Sequence, residues 1–119
     1  MKKIKVGLGQ LLVEGGEPER NLQRAIELVV EAKKNDCEII LLPECLDFGW
    51  THPSGLKNAK EIPGLFSEIL STSAKENNIY ICAGLTEKDL NNNKNYNSAI
   101  LINNKGKILS KYRKINILE

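Results

Sequence analysis

Apolar positions along this chain fall into blocks, and the spacing changes from one block to the next. "IKVGLGQLLV" (4–13) reads as a strand running into a loop at Gly15-Gly16. Pro18 suits the first turn of a helix, where a missing N–H costs no intrahelical bond. Leu22, Ala25, Ile26 and Val29 then recur at helical spacing with Glu and Arg between them, and the helix is expected to end near Asn35-Asp36. "EIILL" (38–42) is almost wholly apolar, as befits a strand covered on both faces. Pro43 cannot donate to a ladder and should stop it.

The second half of the chain continues the alternation. Pro63 followed by Phe66, Ile69, Leu70 and Ala74 marks a second helix, and "NIYICAGL" (78–85) is another buried-type strand closed by Gly84. "TEKDLNNNKN" (86–95) reads as a loop. "NSAILIN" (97–103) and "KILSKYRKI" (107–115) flank Asn104-Lys105-Gly106, a hairpin signal. The order β-α-β-α-β-β-β predicts an α/β fold in a single domain over 1–119, with the later strands antiparallel.

Composition removes several function classes. With 119 residues there is room for one ordinary domain and not two. A net charge of +2 gives no overall bias towards nucleic acid, membrane or acidic partners. No run approaches the roughly 20 apolar residues of a membrane span. The N-terminus opens on lysines as a signal peptide does, but Gly7, Gly9 and Gln10 interrupt the apolar run and no small-residue cleavage site follows. Cys37, Cys45 and Cys82 form an odd set without CxxC spacing, and the single His52 supplies no ligand cluster. Reduced thiols, a cytoplasmic location and no metal are the expectation. Gly7-Leu8-Gly9 opens a dinucleotide fingerprint that Leu12 leaves without its third glycine, which counts against a nucleotide-binding domain.

Two side chains stand out as candidates for chemistry. Glu44 lies just past the strand that Pro43 stops, at the carboxyl end where α/β sheets gather ligands. Partly desolvated there, its pKa would rise towards neutrality and it could move protons; a solvated loop carboxylate is the other reading. In "KGKILSKYRK" (105–114) the pleat puts Ile108, Ser110, Tyr112 and Lys114 on one face and turns Lys111 and Arg113 to the other. That disperses the cations, whereas a nucleic-acid surface would gather them with aromatics. Cys45 is a poor nucleophile, because neighbours in extended chain point to opposite sides and Glu44 cannot easily take its proton. Cys37 and Cys82 read as small core residues, His52 as a loop residue, and Phe48 and Trp50 as packing under the loop or the wall of a pocket beside Glu44.

"IILLPE" (39–44), Gly84-Leu85-Thr86-Glu87, "YNSAILIN" and "GKILSKYRKINIL" (106–118) together resemble the carbon–nitrogen hydrolase, or nitrilase, superfamily, from Lys3 to Glu119. The resemblance implies an α-β-β-α sandwich and a Glu–Lys–Cys triad. Glu44 would be the general base and acid, and Lys114 the cation beside the developing oxyanion. A cysteine would attack an amide or nitrile carbon and form an acyl-enzyme that water cleaves. No cofactor is implied. Asn116 stands where many members carry His, a minor departure.

The larger departure is the nucleophile. The family's cysteine lies well downstream of the lysine motif, and this sequence stops five residues after Lys114. A supporting second glutamate would also fall beyond Glu119. The expectation is an N-terminal portion of a C–N hydrolase with an incomplete sandwich. It would be inactive alone on its small-molecule amide substrate, and would self-associate or bind a complementary C-terminal segment. The alternative is a non-catalytic nitrilase-like module that works by assembly or small-molecule binding.

Overall fold

Five strands form one sheet in chain order: β1 (Val6–Leu8), β2 (Ile39–Leu41), β3 (Tyr80–Lys88), β4 (Asn95–Ile102) and β5 (Ile108–Arg113). The computed structural model describes residues 2–92 and 94–115. The pairs β1–β2 and β2–β3 are parallel; β3–β4 and β4–β5 are antiparallel, as the hairpin signal predicts. The turn between β4 and β5 places Gly106 at φ 82, in the left-handed region, and its N–H donates to Asn103 O at 3.0 Å.

Helix α1 (Pro18–Lys34) begins with Pro in its first turn and turns Leu22, Ala25, Val29 and Ala32 into the core. Helix α3 (Leu65–Asn77) buries Phe66, Leu70 and Ala74 at the same kind of spacing. The Gly64 N–H donates to Ser67 Oγ at 2.9 Å, which satisfies one donor at the start of α3. Asn78, at φ 49, ends the helix in the left-handed conformation. The two helices pack with Ile40, Ile81, Ala83, Leu85, Ile100 and Ile102 in one hydrophobic core. None of the described helices is long and apolar enough to cross a membrane.

Alternation along the strands fixes what lies on the other face. The register aligns Val6, Ile39 and Tyr80 in one row, and Leu8, Leu41, Cys82 and Leu101 in the next. Ala99 pairs with Tyr112 further along. Of these, Val6, Leu8, Leu41, Tyr80 and Tyr112 are between 37% and 76% exposed. Apolar side chains aligned across a whole sheet and left in water are unusual for a folded domain.

The boundaries depart from the sequence expectation at several places. The first strand pairs only over Val6–Leu8, followed by one more bond from Gly9 N–H to Leu41 O at 2.8 Å. A short helix, α2 (Ser54–Asn58), was not signalled. Most informative is β3, which does not close at Gly84 but runs on to Lys88 through residues expected to be loop. Glu87 is the reason, because it is buried beneath the sheet and finds its partners on β5.

Candidate active site

After β2 the chain does not leave the sheet at Pro43. The Leu42 N–H donates to Cys82 O at 2.8 Å, the Gly84 N–H to Pro43 O at 3.1 Å and the Leu46 N–H to Gly84 O at 3.0 Å, so residues 42–46 lie along β3. The approach is close enough that a Cβ on Gly84 would fall 2.6 Å from Glu44 Cα and 2.9 Å from Pro43 O. Glycine is therefore required at 84 by contact, not to end a strand. Cys45 then turns into the left-handed region at φ 47, a conformation that costs a non-glycine residue energy and is held here by its surroundings.

This path delivers Glu44 to the open face of the sheet beside Lys114, 70 positions away in sequence. The Lys114 Nζ donates to Glu44 Oε1 at 3.2 Å, with the two side chains 40% and 50% exposed. The Asn97 side-chain amide donates to the same oxygen. The main chain of Asn97 also ties in Lys114, whose N–H donates to Asn97 O at 2.8 Å. Glu44, Lys114, Asn97, Cys82 and Tyr112 line an open groove of about 530 Å³.

The electrostatics of Glu44 correct the sequence expectation. Its pKa lies below the ordinary carboxylate value because of the Asn97 hydrogen bond and then the Lys114 hydrogen bond, with burial opposing weakly. Desolvation was expected to dominate and does not, because the side chain stands half in water.

The remaining candidates separate by environment. Cys45 is buried, and burial foremost, with the Asp47 and Glu44 charges, pushes its thiol up. A protonated, enclosed thiol is not a nucleophile. Cys37 is buried as expected, but Cys82 is only half-buried and faces the groove. Phe48 is core and lies 5.7 Å from Phe66 between ring centroids, whereas Trp50 is half-exposed beside a separate cavity with His52. His52 pairs with Ser54, its Nδ1 2.8 Å from the hydroxyl. The glycines of the abortive fingerprint are packing positions: a Cβ on Gly9 would meet Leu42 at 2.8 Å. Asn116 lies outside the described residues.

Lys111 and Arg113 turn away from Lys114, as the pleat requires, and clamp Glu87 from the other side of the sheet. The Lys111 Nζ lies 2.6 Å from Oε2, the Arg113 Nε 2.9 Å from Oε1, and the Ser98 hydroxyl donates at 2.9 Å. Arg113 also stacks on the Tyr96 ring at 4.0 Å. Burial pushes the Glu87 pKa up, but the bonds from Arg113, Lys111 and Ser98 outweigh it and the net displacement is downward. Glu87 and Asn97 lie within the motifs Gly84-Leu85-Thr86-Glu87 and "YNSAILIN", which by themselves assign neither residue a role. For Glu87 the signal was available, since a carboxylate at the inward position of a period-two strand needs cations and two sit on the matching face of β5.

The carbon–nitrogen hydrolase family model matches residues 5–119. The chain belongs to that family. It is 36% identical over its whole length to an omega-amidase of Xenopus laevis, covering 42% of that protein. It is 34% identical to a nitrilase of Pyrococcus abyssi, with 96% of this chain and 44% of that protein covered. Among solved structures, an amidase of a Nesterenkonia species superposes with a TM-score of 0.86 at 18% identity, over 98% of this chain and 46% of the other. The carbon–nitrogen hydrolase fold is thus present as a mixed sheet with its helices. The chain spans less than half the length of these relatives.

Proposed function

We propose that residues 1–119 are the N-terminal portion of a carbon–nitrogen hydrolase that cleaves amide C–N bonds with Glu44, Lys114 and a cysteine supplied from outside this sequence. The observation that carries the reading is the Glu44–Lys114 pair, 3.2 Å apart on an open groove at the carboxyl end of β2. A base and a cation held together across 70 positions on a face that also exposes Leu41 and Tyr112 fit a nucleophile arriving from a layer that covers that face.

The chemistry follows from the two groups. Glu44 takes the thiol proton, so that the S–H bond breaks and an O–H bond forms, and sulfur adds to the amide carbon. Negative charge develops on the carbonyl oxygen, where Lys114 counters it; such a group contributes several kcal/mol, on the order of 10²–10³ in rate. The amine departs with the proton from Glu44, and water assisted by Glu44 cleaves the thioester. Covering the groove removes water from Glu44 and raises its pKa from the depressed value towards that of a working base. Omega-amides, named for several relatives, are the substrate class to try first.

The exposed face that carries Leu8, Leu41, Tyr80 and Tyr112 supports the same reading, because it asks for a covering partner. Co-expression with a cysteine-bearing C-terminal segment of the family should give a soluble complex that releases ammonia from omega-amides, and replacing that cysteine by Ser should abolish release. A folded complex that binds amides without turning them over would instead favour the non-catalytic module.

A further inference from the structure

Beyond the base and the cation, we infer that Asn97 is the positioning residue that holds Glu44 and Lys114 in one geometry and selects which carboxylate oxygen takes the proton. The inference rests on the proposed roles of those two residues. Three bonds join the three residues, two of them made by Asn97. The Asn97 side chain donates to Glu44 Oε1, Lys114 Nζ donates to the same Oε1 at 3.2 Å, and the Lys114 N–H donates to Asn97 O at 2.8 Å.

The first consequence concerns Glu44. Oε1 carries two donors, while Oε2 has no hydrogen-bond partner among the described residues. A doubly bonded oxygen is the poorer proton acceptor, so Oε2 is left to receive the thiol proton. Asn rather than Asp or Ser suits this role: an amide donates over the needed reach without adding charge, and a carboxylate would repel Glu44.

The second consequence concerns Lys114. It stands one residue past β5, where a long side chain is free to wander. The backbone bond to Asn97 continues the ladder by one step, fixing the Cα from which the ammonium reaches Glu44. Asn97 itself sits in β4 opposite Thr86, two pairs along β3 from Gly84, the residue against which Glu44 is packed.

The test is a ¹³C carboxyl titration of Glu44 in the chain and in Asn97→Ala and Asn97→Asp variants. The Glu44 midpoint should rise in Asn97→Ala and rise further in Asn97→Asp. The Lys114 amide should keep its exchange protection in both, since its acceptor is main chain. A Glu44 midpoint equal to wild type in Asn97→Ala would overturn the proposal. Should Asn97→Ala fail to fold, the polar but uncharged Asn97→Ser, whose hydroxyl is shorter than the amide, decides in its place, and an unmoved midpoint there overturns it. The outcome is independent of turnover. Absence of amide cleavage in the completed protein would sink the hydrolase reading while leaving this titration standing, and the reverse is equally possible.

Discussion

Gly84 and Glu44 are in backbone contact: a Cβ at position 84 would lie 2.6 Å from the Glu44 Cα. The site is therefore set by main-chain packing before any side chain acts. Gly84→Ala must push residues 43–45 off β3, at a cost of about 1–3 kcal/mol for overpacking. Urea unfolding should show that loss, and the Glu44 carboxyl should titrate nearer its ordinary value once it is drawn away from Asn97 and Lys114.

Glu87 should dominate the acid stability of the sheet. Its folded pKa is lowered, so its contribution is complete above the unfolded value of 4.5 and is lost as pH falls below it through the folded value. Glu87→Gln should remove about 2 kcal/mol at neutral pH. That is less than the ~3–5 of a fully buried pair, because Lys111 and Arg113 keep 30% and 47% of their side-chain exposure. The difference between wild-type and variant unfolding free energies, measured from pH 7 down to 3, should shrink towards acid. A difference that stayed constant would mean Glu87 holds the strand by shape alone.

Lys114→Met should raise the Glu44 titration midpoint while leaving unfolding by urea within about 0.5 kcal/mol of wild type, as befits an exposed pair. In the proposed complex with a cysteine-bearing segment the same change should lower kcat by on the order of 10²–10³.

The thiols offer a chemical map of the open face. Cys82 is partly exposed in the row that joins Leu8, Leu41 and Leu101, whereas Cys37 and Cys45 are buried. Alkylation by iodoacetamide at pH 8 should label Cys82 first and Cys45 last. Addition of a covering C-terminal segment should protect Cys82. Labelling that ignored the added segment would show that the partner docks elsewhere.

Much of the fold was readable because local signals and tertiary demands agree. The 3.6-residue spacing of Leu22, Ala25 and Val29 and the turn at Asn104-Lys105-Gly106 each found their structural counterpart, whereas the chain runs on along β3 past Pro43. The extension of β3 was not read, because Thr86-Glu87-Lys88 looks like loop until Lys111 and Arg113 arrive from β5 to neutralise Glu87. Glu44 and Lys114 were both picked out, and the pleat gave Lys114 its face. Their proximity, and the bond network at Asn97 that lowers the Glu44 pKa, depend on chain segments 53 and 70 positions apart that no local pattern reports.

If Glu44 serves a cysteine from outside these residues, as proposed, amide turnover must depend on its carboxylate. Ammonia release from an omega-amide is measured for the chain co-expressed with a cysteine-bearing C-terminal segment of the family, with Glu44 intact and as Glu44→Gln. The expected result is turnover that falls at least 10²-fold on losing the carboxylate, with the complex still assembled. Equal rates for the two proteins, or no turnover from a folded wild-type complex, would mean that Glu44 is not the base for such a cysteine.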